Sequence, residues 1–398
     1  MKDSRLQVGL ITPAFAGASA VGSGIGVHFR HLAEGLMAAG HAVTAIVPIE
    51  ASKANPTGES YLHVLSVAVP PMAKLLGRVS WQLHQLSYER ALRRAAAQGA
   101  RAYPRIDIWE TTSTGAPALS FLGVRPRGPI VTRVSTTALQ LRTTNGGPPN
   151  WLTRQHERQE RAAIAGSDAV ITHSASHRDA VAREFGLAPA SIPIIPHGIP
   201  LPVVSERAPR PEVELLFVGR LEHRKGVDLL LGALPAVFAS SPATHATLVG
   251  TDSGGYWQAH WNALAPAAVR ERITFAGAVS DQALADHYAR ADVFVAPSRY
   301  ESFGLMFVEA MAWKLPVVAL AAPGANEILV AGQTALLTPP EDIPALAAAI
   351  NQLARDPDQR RRLAEAGRQR AEARYSRAAL TEASVAYYRA LLAKVRIR

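Results

Sequence analysis

Two glutamates, Glu301 and Glu309, flank the stretch Ser302-Phe303-Gly304-Leu305. A short apolar run from Ala291 to Ala296 precedes them and reads as a buried strand, while Ala310-Met311-Ala312 reads as helix. At such a strand, loop and helix junction the first helical N–H groups have no partner within the helix. The backbone of Phe303, Gly304 and Leu305 is therefore placed to donate to an anion, and Gly304 allows close approach. Glu301 in the loop and Glu309 about two turns into the helix are able to address opposite ends of one long ligand. The plain alternative is a helix cap with a surface glutamate.

A second stretch with chemistry is Gly219-Arg220-Leu221-Glu222-His223-Arg224-Lys225-Gly226. The apolar run Val213 to Val218 before it puts Arg220 at the carboxyl end of a strand and Lys225 at the mouth of the following helix. Ligands of open parallel sheets bind at such strand ends. Two cations and a helix N-terminus suffice to neutralise a diphosphate leaving group without a metal ion, through charge-assisted hydrogen bonds. A surface loop with helix-flanking charges is the rival reading.

The elements around these stretches alternate between strand and helix patterns, which predicts an α/β fold with parallel sheets. Leu6 to Thr12, His41 to Pro48, Tyr61 to Val69, Ile106 to Glu110, Pro129 to Val134 and Ala169 to Thr172 read as strands. A first helix is expected from about Val27 to Ala39, stopped by Gly40. Prolines at 193, 196, 200, 202, 209 and 211 then forbid continuous helix or central strand and suit an interdomain connection. Beyond them the alternation restarts, with strands expected at Val213 to Val218, His245 to Val249, Ile273 to Phe275, Val293 to Ala296, Pro316 to Leu320 and Ala335 to Leu337. The chain from Ile343 onward is rich in Ala, Leu, Arg and Glu and reads as helical. Two Rossmann-like domains follow, 1–205 and 206–377, with a terminal helix over 378–398.

Composition bounds the function. The 398 residues suit two domains, and 48% hydrophobic with 19% charged residues describe a globular enzyme. With no cysteine, disulfides, thiolate metal sites and cysteine nucleophiles are excluded. Residues 1–205 carry 20 Lys and Arg against 12 Asp and Glu, whereas the remainder carries 22 against 20. A basic first half favours an anionic surface or a phosphorylated substrate. Nucleic acid is not expected, since no zinc-finger spacing or RNP-like aromatic pattern accompanies the charge. The N-terminal apolar run is too short for a signal peptide and no run of about 18 apolar residues occurs, so a cytoplasmic protein is expected.

Glu301, seven intervening residues and Glu309, preceded by Pro297-Ser298 and containing Phe303-Gly304, resembles the signature of the GT-B retaining glycosyltransferases of family GT4. The Gly219 to Gly226 stretch is similar to that family's phosphate-binding segment. The resemblance implies two Rossmann-like domains facing across a cleft, with the last helix, about Ala378 to Ala393, crossing back onto the first. It implies transfer of a sugar from a nucleotide diphosphate donor to an acceptor hydroxyl, with retention, by a same-face mechanism and without metal or cofactor. In that family Arg220 and Lys225 would grip the phosphates, assisted by the backbone of Phe303, Gly304 and Leu305. Glu301 would bind hydroxyls of the donor sugar and Glu309 those of the ribose, while Gly250 and Val279 would line the base pocket. Gly24 and Gly26, in Gly22-Ser23-Gly24-Ile25-Gly26, resemble the glycine-rich loop that approaches the diphosphate and acceptor. A dehydrogenase fingerprint would need glycine where Val27 stands.

The sequence departs from the family on the acceptor side. Where many members carry a histidine near the fourth or fifth strand, this chain has Arg133 and Ser135, and the frequent Asn-Gly-Val-Asp reads His197-Gly198-Ile199-Pro200. His28, Arg133, Ser135 and His197 are the acceptor-side candidates. Over 72–96 a helical stripe of Met72, Leu75, Leu76, Val79, Leu83 and Leu86 is expected to face the core. Lys74, Arg78, Trp81, Tyr88 and Leu92 group elsewhere and suggest peripheral membrane contact with an anionic or lipid-linked acceptor. Asp356-Pro357-Asp358 reads as a loop rather than a metal site, and no metal is expected. The competing functions are a sugar-nucleotide epimerase or isomerase on the same architecture and a catalytically silent sugar-nucleotide-binding protein.

Overall fold

A computed structural model of the chain describes residues 5–13, 24–49, 62–68, 81–103, 105–121, 128–144, 148–205 and 210–396. The chain divides into two units, Met1–Gly198 with Arg377–Arg398, and Ile199–Ser376. The change of unit precedes the boundary expected at 205 because Ile199 already belongs to the second core. Its N–H donates to Tyr375 O at 2.9 Å, it bridges to Ser376, and its side chain is buried with Phe303 and Tyr375. Most of the proline-rich run is thus part of the second unit.

The first unit is built on a six-stranded parallel sheet in the order β3-β2-β1-β4-β5-β6. Its strands are β1 (Gln7–Ile11), β2 (Ala42–Ile49), β3 (Leu62–Ala68), β4 (Ile108–Thr112), β5 (Ile130–Arg133) and β6 (Ala169–Ile171). Register is set by pairs such as Val8↔Val43 and Val8↔Ile108. A parallel sheet is covered on both faces, so its inner strands are buried even where, as in β4 and β5, they carry Glu110, Thr111, Thr112, Thr132 and Arg133. Every residue of β4 and β5 is buried.

The first helix spans Gly24–Ala38, so Gly24 and Gly26 lie in its opening turn rather than in a preceding loop. Ile25, His28, Phe29 and Leu32 repeat at helical spacing, which starts the buried face before Val27, and Gly26 is itself buried on that face. Gly22 and Ser23 are outside the described residues. The C-terminal helix, Arg377–Arg396, packs on this first helix. A Cβ on Gly35 would lie 2.0 Å from Thr381 Oγ1, so only glycine lets the two helices approach this closely. Leu380, Val385 and Tyr388 join Phe29, Leu32 and Leu36 in one core, and Arg377 ties to Glu34 at 2.5 Å. Each large apolar side chain so buried contributes about 1.5–3 kcal/mol.

The expected amphipathic stretch forms a helix over Trp81–Ala102. Residues 72–80 lie outside the described residues, as do the side chains of 81–89. Leu92, assigned to the interfacial face, is instead fully buried with Ile11, Ile46 and Trp109. The reason is tertiary: this helix covers the second face of the sheet, so its buried stripe is set by β1, β2 and β4 rather than by a sequence period read from Met72.

The second unit repeats the topology, with order β12-β11-β10-β7-β8-β9. Its strands are β7 (Val213–Val218), β8 (Thr244–Val249), β9 (Ile273–Gly277), β10 (Val293–Ala296), β11 (Val317–Leu320) and β12 (Ala335–Thr338). The helix Val227–Ser240 covers one face with Ile343–Arg355, and Leu305–Ala312 covers the other with Pro357–Tyr375. Asp356-Pro357-Asp358 is a helix start rather than a loop: Asp356 accepts from Gln359 N at 2.8 Å, and Pro357 occupies the first helical position.

Candidate active site

In the second unit the strand order reverses between β7 and β10. Ligands of doubly wound sheets bind beyond the carboxyl ends of strands at such a switch point. The segment 219–226 leaves β7 there, and 297–304 leaves β10. Their backbones touch: Arg299 N donates to Arg224 O at 2.9 Å. Gly226 lies under Pro297 with φ of +69°, and a Cβ would stand 1.9 Å from the Pro297 carbonyl oxygen, so a side chain there is excluded by both conformation and space.

The two segments converge on Glu301, which is 8% exposed. Lys225 Nζ donates to Glu301 Oε1 at 2.5 Å, and Arg224 NH1 lies 3.6 Å from Oε2. Burial alone would push this carboxyl up, but the cations Lys225 and Arg224 and the hydrogen bond from Lys225 outweigh it and hold Glu301 below the usual carboxylate range. Glu301 is therefore an ionised acceptor. Arg220 differs from both other cations: its side chain is 64% exposed and reaches Glu222 Oε1 at 3.2 Å.

Glu309, on the helix Leu305–Ala312, accepts from Tyr288 OH at 2.8 Å. Tyr288 is buried, stacked at 6.2 Å and 2° on Trp313 and at 6.0 Å on Phe294. Burial raises the Glu309 carboxyl above its ordinary value, Asp281 adds to this, and the Tyr288 hydrogen bond and Lys225 oppose it. Gly304 is the N-cap of the same helix in the left-handed region at φ of +97°, and Phe303 anchors the loop by packing edge-on against Tyr375 at 5.8 Å. Leu305 opens the helix, half-buried. Gly250 N donates to Gly277 O at 2.8 Å beside the Gly219 carbonyl, and Val279 packs against the core that holds Tyr288.

Arg224, Glu222, Ser298 and Tyr288 had not been singled out as site residues. Arg224 had only its place beside Lys225 as a signal, and the structure turns both cations inward toward Glu301. Tyr288 had none, since its pairing with Glu309 crosses 21 positions and depends on two helices packing on one sheet face.

In the first unit, His28, Arg133 and His197 come together, and Ser135 does not join them. Glu110 and Arg133 are both buried, with Arg133 Nε 2.7 Å from Glu110 Oε1 and NH1 2.7 Å from Ile195 O. Tyr388 OH donates to the other Glu110 oxygen. His28 Nδ1 and His197 Nδ1 are 2.7 Å apart, so one supplies the proton and the other the lone pair. His173 stacks between His197 at 4.7 Å and His177 at 4.5 Å. Burial first, then positive neighbours including Arg133 and the other histidines, hold His28, His173 and His197 well below the ordinary imidazole value. Burial brings His177 to about 4. Ser135 Oγ lies 3.0 Å from Thr114 Oγ1 and 3.4 Å from Thr112 Oγ1, forming a separate hydroxyl group at the ends of β4 and β5. Among the described residues no group of three or more His, Cys, Asp or Glu is arranged to hold a metal ion. None of the described helices is long and apolar enough to cross a membrane.

Comparison with known proteins gives the family. The family described as glycosyl transferases group 1 matches residues 204–370, and Glycosyltransferase Family 4 matches residues 22–202. Glycogen synthase of Mycobacterium tuberculosis is 30% identical over 370 residues, covering 87% of this chain and 86% of that one. Sucrose-phosphate synthase from Thermosynechococcus elongatus superposes with a TM-score of 0.77 at 24% identity, over 98% of this chain and 100% of that one. Anabaena HepE, solved with UDP and glucose, gives a TM-score of 0.74 at 18% identity, over 97% and 100%. The chain belongs to the GT-B glycosyltransferases of family GT4, and it is a transferase enzyme.

Proposed function

We propose that the protein moves a glycosyl group from a nucleotide diphosphate sugar to an acceptor hydroxyl with retention, using the second unit for the donor and the first for the acceptor. The observation that carries this reading is the Lys225–Glu301 pair at the β7 and β10 strand ends. An ammonium has three donors, so Lys225 keeps two for a diphosphate while the third holds Glu301. Exposed Arg220 adds a second cation, and the first turn of Leu305–Ala312 adds backbone donors. Glu301 accepts from hydroxyls of the transferred sugar and Glu309 from the ribose, with Gly250 and Val279 beside the base.

The step follows from these roles. The acceptor oxygen bonds to the anomeric carbon as the bond from that carbon to the diphosphate breaks. The acceptor proton passes to a phosphate oxygen of the leaving nucleoside diphosphate. A Glu301 carboxylate engaged by two cations is a poor nucleophile, which favours attack on the leaving-group face over a covalent intermediate. Arg220, Lys225 and the helix N-terminus take the leaving-group charge, so we include independence from added metal and cofactor in the proposal. HepE was solved with UDP and glucose, which suits a donor of this class. For the acceptor we extend the proposal to peripheral contact of residues 72–96 with an anionic surface, carried by Lys74, Arg78 and Trp81 in the sequence.

The test incubates the protein with UDP-glucose, ADP-glucose, GDP-mannose and UDP-N-acetylglucosamine and follows nucleotide release, alongside thermal shift with UDP, GDP, ADP and dTDP. One donor is expected to turn over and its diphosphate to raise the Tm; no release and no shift with any of them overturns the reading. Sedimentation with neutral and anionic vesicles at low salt checks the membrane contact, which requires anionic-selective binding.

A further inference from the structure

Arg224 and Arg299 form a reciprocal tie between the two segments of the donor site. Arg224, on the first segment, sends NH1 to the Tyr300 carbonyl of the second at 2.9 Å. Arg299, on the second, sends NH1 to the His223 carbonyl of the first at 2.5 Å and grips Asp228 bidentately at 2.8 and 2.7 Å. Each arginine therefore fixes a main-chain carbonyl next to a residue of the candidate site: Tyr300 precedes Glu301, and His223 lies two positions before Lys225. The two ties differ in one respect. Arg299 never reaches Glu301, and its second carboxylate partner, Glu341, holds its Nε at 2.6 Å and is largely exposed. Arg224 is buried, its Nε and NH2 are held by Glu222 Oε1 at 3.1 and 2.8 Å, and its NH1 faces Glu301 Oε2.

We propose that Arg224 is the positioning residue for Glu301: its fork, locked by Glu222 on one side, fixes the Tyr300 carbonyl next to Glu301 and keeps a positive charge 3.6 Å from one Glu301 oxygen, and so orients the carboxylate toward the donor sugar. This rests on the donor-site reading above. A guanidinium suits the task because its planar donors point in fixed directions, whereas the rotatable donors of an ammonium leave the direction of each bond unset. Lys225, by contrast, is free to share its donors between Glu301 and phosphate. Arg224 acts on the sugar end through Glu301 and not on the nucleotide, so its loss is predicted to separate catalysis from nucleotide affinity.

The experiment uses the full chain with Arg224→Gln and Arg224→Lys, the panel donor that wild type turns over fastest, and calorimetry with that donor's bare nucleoside diphosphate. Both variants are expected to lose about tenfold or more in kcat, while diphosphate Kd stays within about twofold. The acid limb of kcat/KM is expected to move to higher pH in Arg224→Gln, where a cation beside Glu301 is gone, and to stay in place in Arg224→Lys. If Arg224→Gln does not fold, Arg224→Lys alone decides through its kcat and Kd. Unchanged kcat in Arg224→Lys, or a Kd that weakens in step with kcat, overturns the proposal, the second by making Arg224 a phosphate ligand. A failure of the donor-site reading looks different: wild type itself would then neither bind nucleoside diphosphate nor release it.

Discussion

The two units carry the same kinds of charged groups at the ends of parallel strands and use them in opposite ways. In the first, Glu110 and Arg133 pair with each other and with Tyr388 and Ile195 in a buried setting, with four neutral histidines alongside, and Arg133 NH2 is left without a hydrogen-bond partner. In the second, Glu301 meets two cations, yet Lys225 retains further donors and Arg220 is mostly exposed. Both networks contain buried ions. What separates them is exposure: Arg133 is buried beside its one carboxylate, whereas immediately around Glu301 and Glu222 the cations Arg220, Arg224 and Lys225 outnumber the carboxylates and Arg220 is mostly exposed. A surplus of cationic donors at a strand-end switch point is what an anionic leaving group requires, and a balanced buried pair is what a fixed scaffold requires.

The sharpest way to break this contrast is to remove each carboxylate. Glu301→Ala is expected to cut transfer by about 10³-fold or more, and Glu110→Ala to cost about 3–5 kcal/mol of unfolding free energy by stranding Arg133. Steady-state rates and urea denaturation measure the two, and replacing Glu110 and Arg133 together by Leu and Met is expected to cost less than Glu110→Ala. Equal stability losses with unimpaired transfer in Glu301→Ala would erase the distinction. Next in size, Lys225→Ala is expected to lower kcat/KM about 10²-fold, the scale for one donor to developing charge.

The histidines give a pH test of the first unit. The His177 value of about 4 lies below its ordinary 6.5, so between them the unfolded chain binds more protons and the native state is favoured less as pH falls. The stability from keeping it neutral is fully present above about pH 6.5 and is lost on acidification toward 4. Between pH 7.5 and 4.5, wild type is expected to lose about 2–3 kcal/mol more than His177→Gln, read by denaturation at each pH. The smallest effect is expected from EDTA, which should change transfer by less than about twofold because side-chain cations and backbone donors carry the charge.

Much of this was legible from the residues. The parallel α/β architecture followed from short strand-like runs alternating with helical periods, although β4 and β5 bury Glu110, Thr111, Thr112, Thr132 and Arg133. Gly219 to Gly226 and Pro297 to Glu309 marked the two segments that meet beyond the β7 and β10 strand ends, because local spacing alone puts cations, glycine and a helix start there. Tertiary structure decided the rest. Leu92 turned inward because a sheet face, not the helix's own period, selected its buried side. His28 met His197 across 169 positions through packing, whereas His173 and His177 stack only four positions apart. Arg224 bonded Tyr300 across 76 positions, and Tyr288 found Glu309 across 21. A sequence fixes which residue types lie a few positions apart, where geometry is set by one helix or strand. Whether a charge ends up balanced or in surplus depends on partners brought from distant segments, and only the packed chain supplies them.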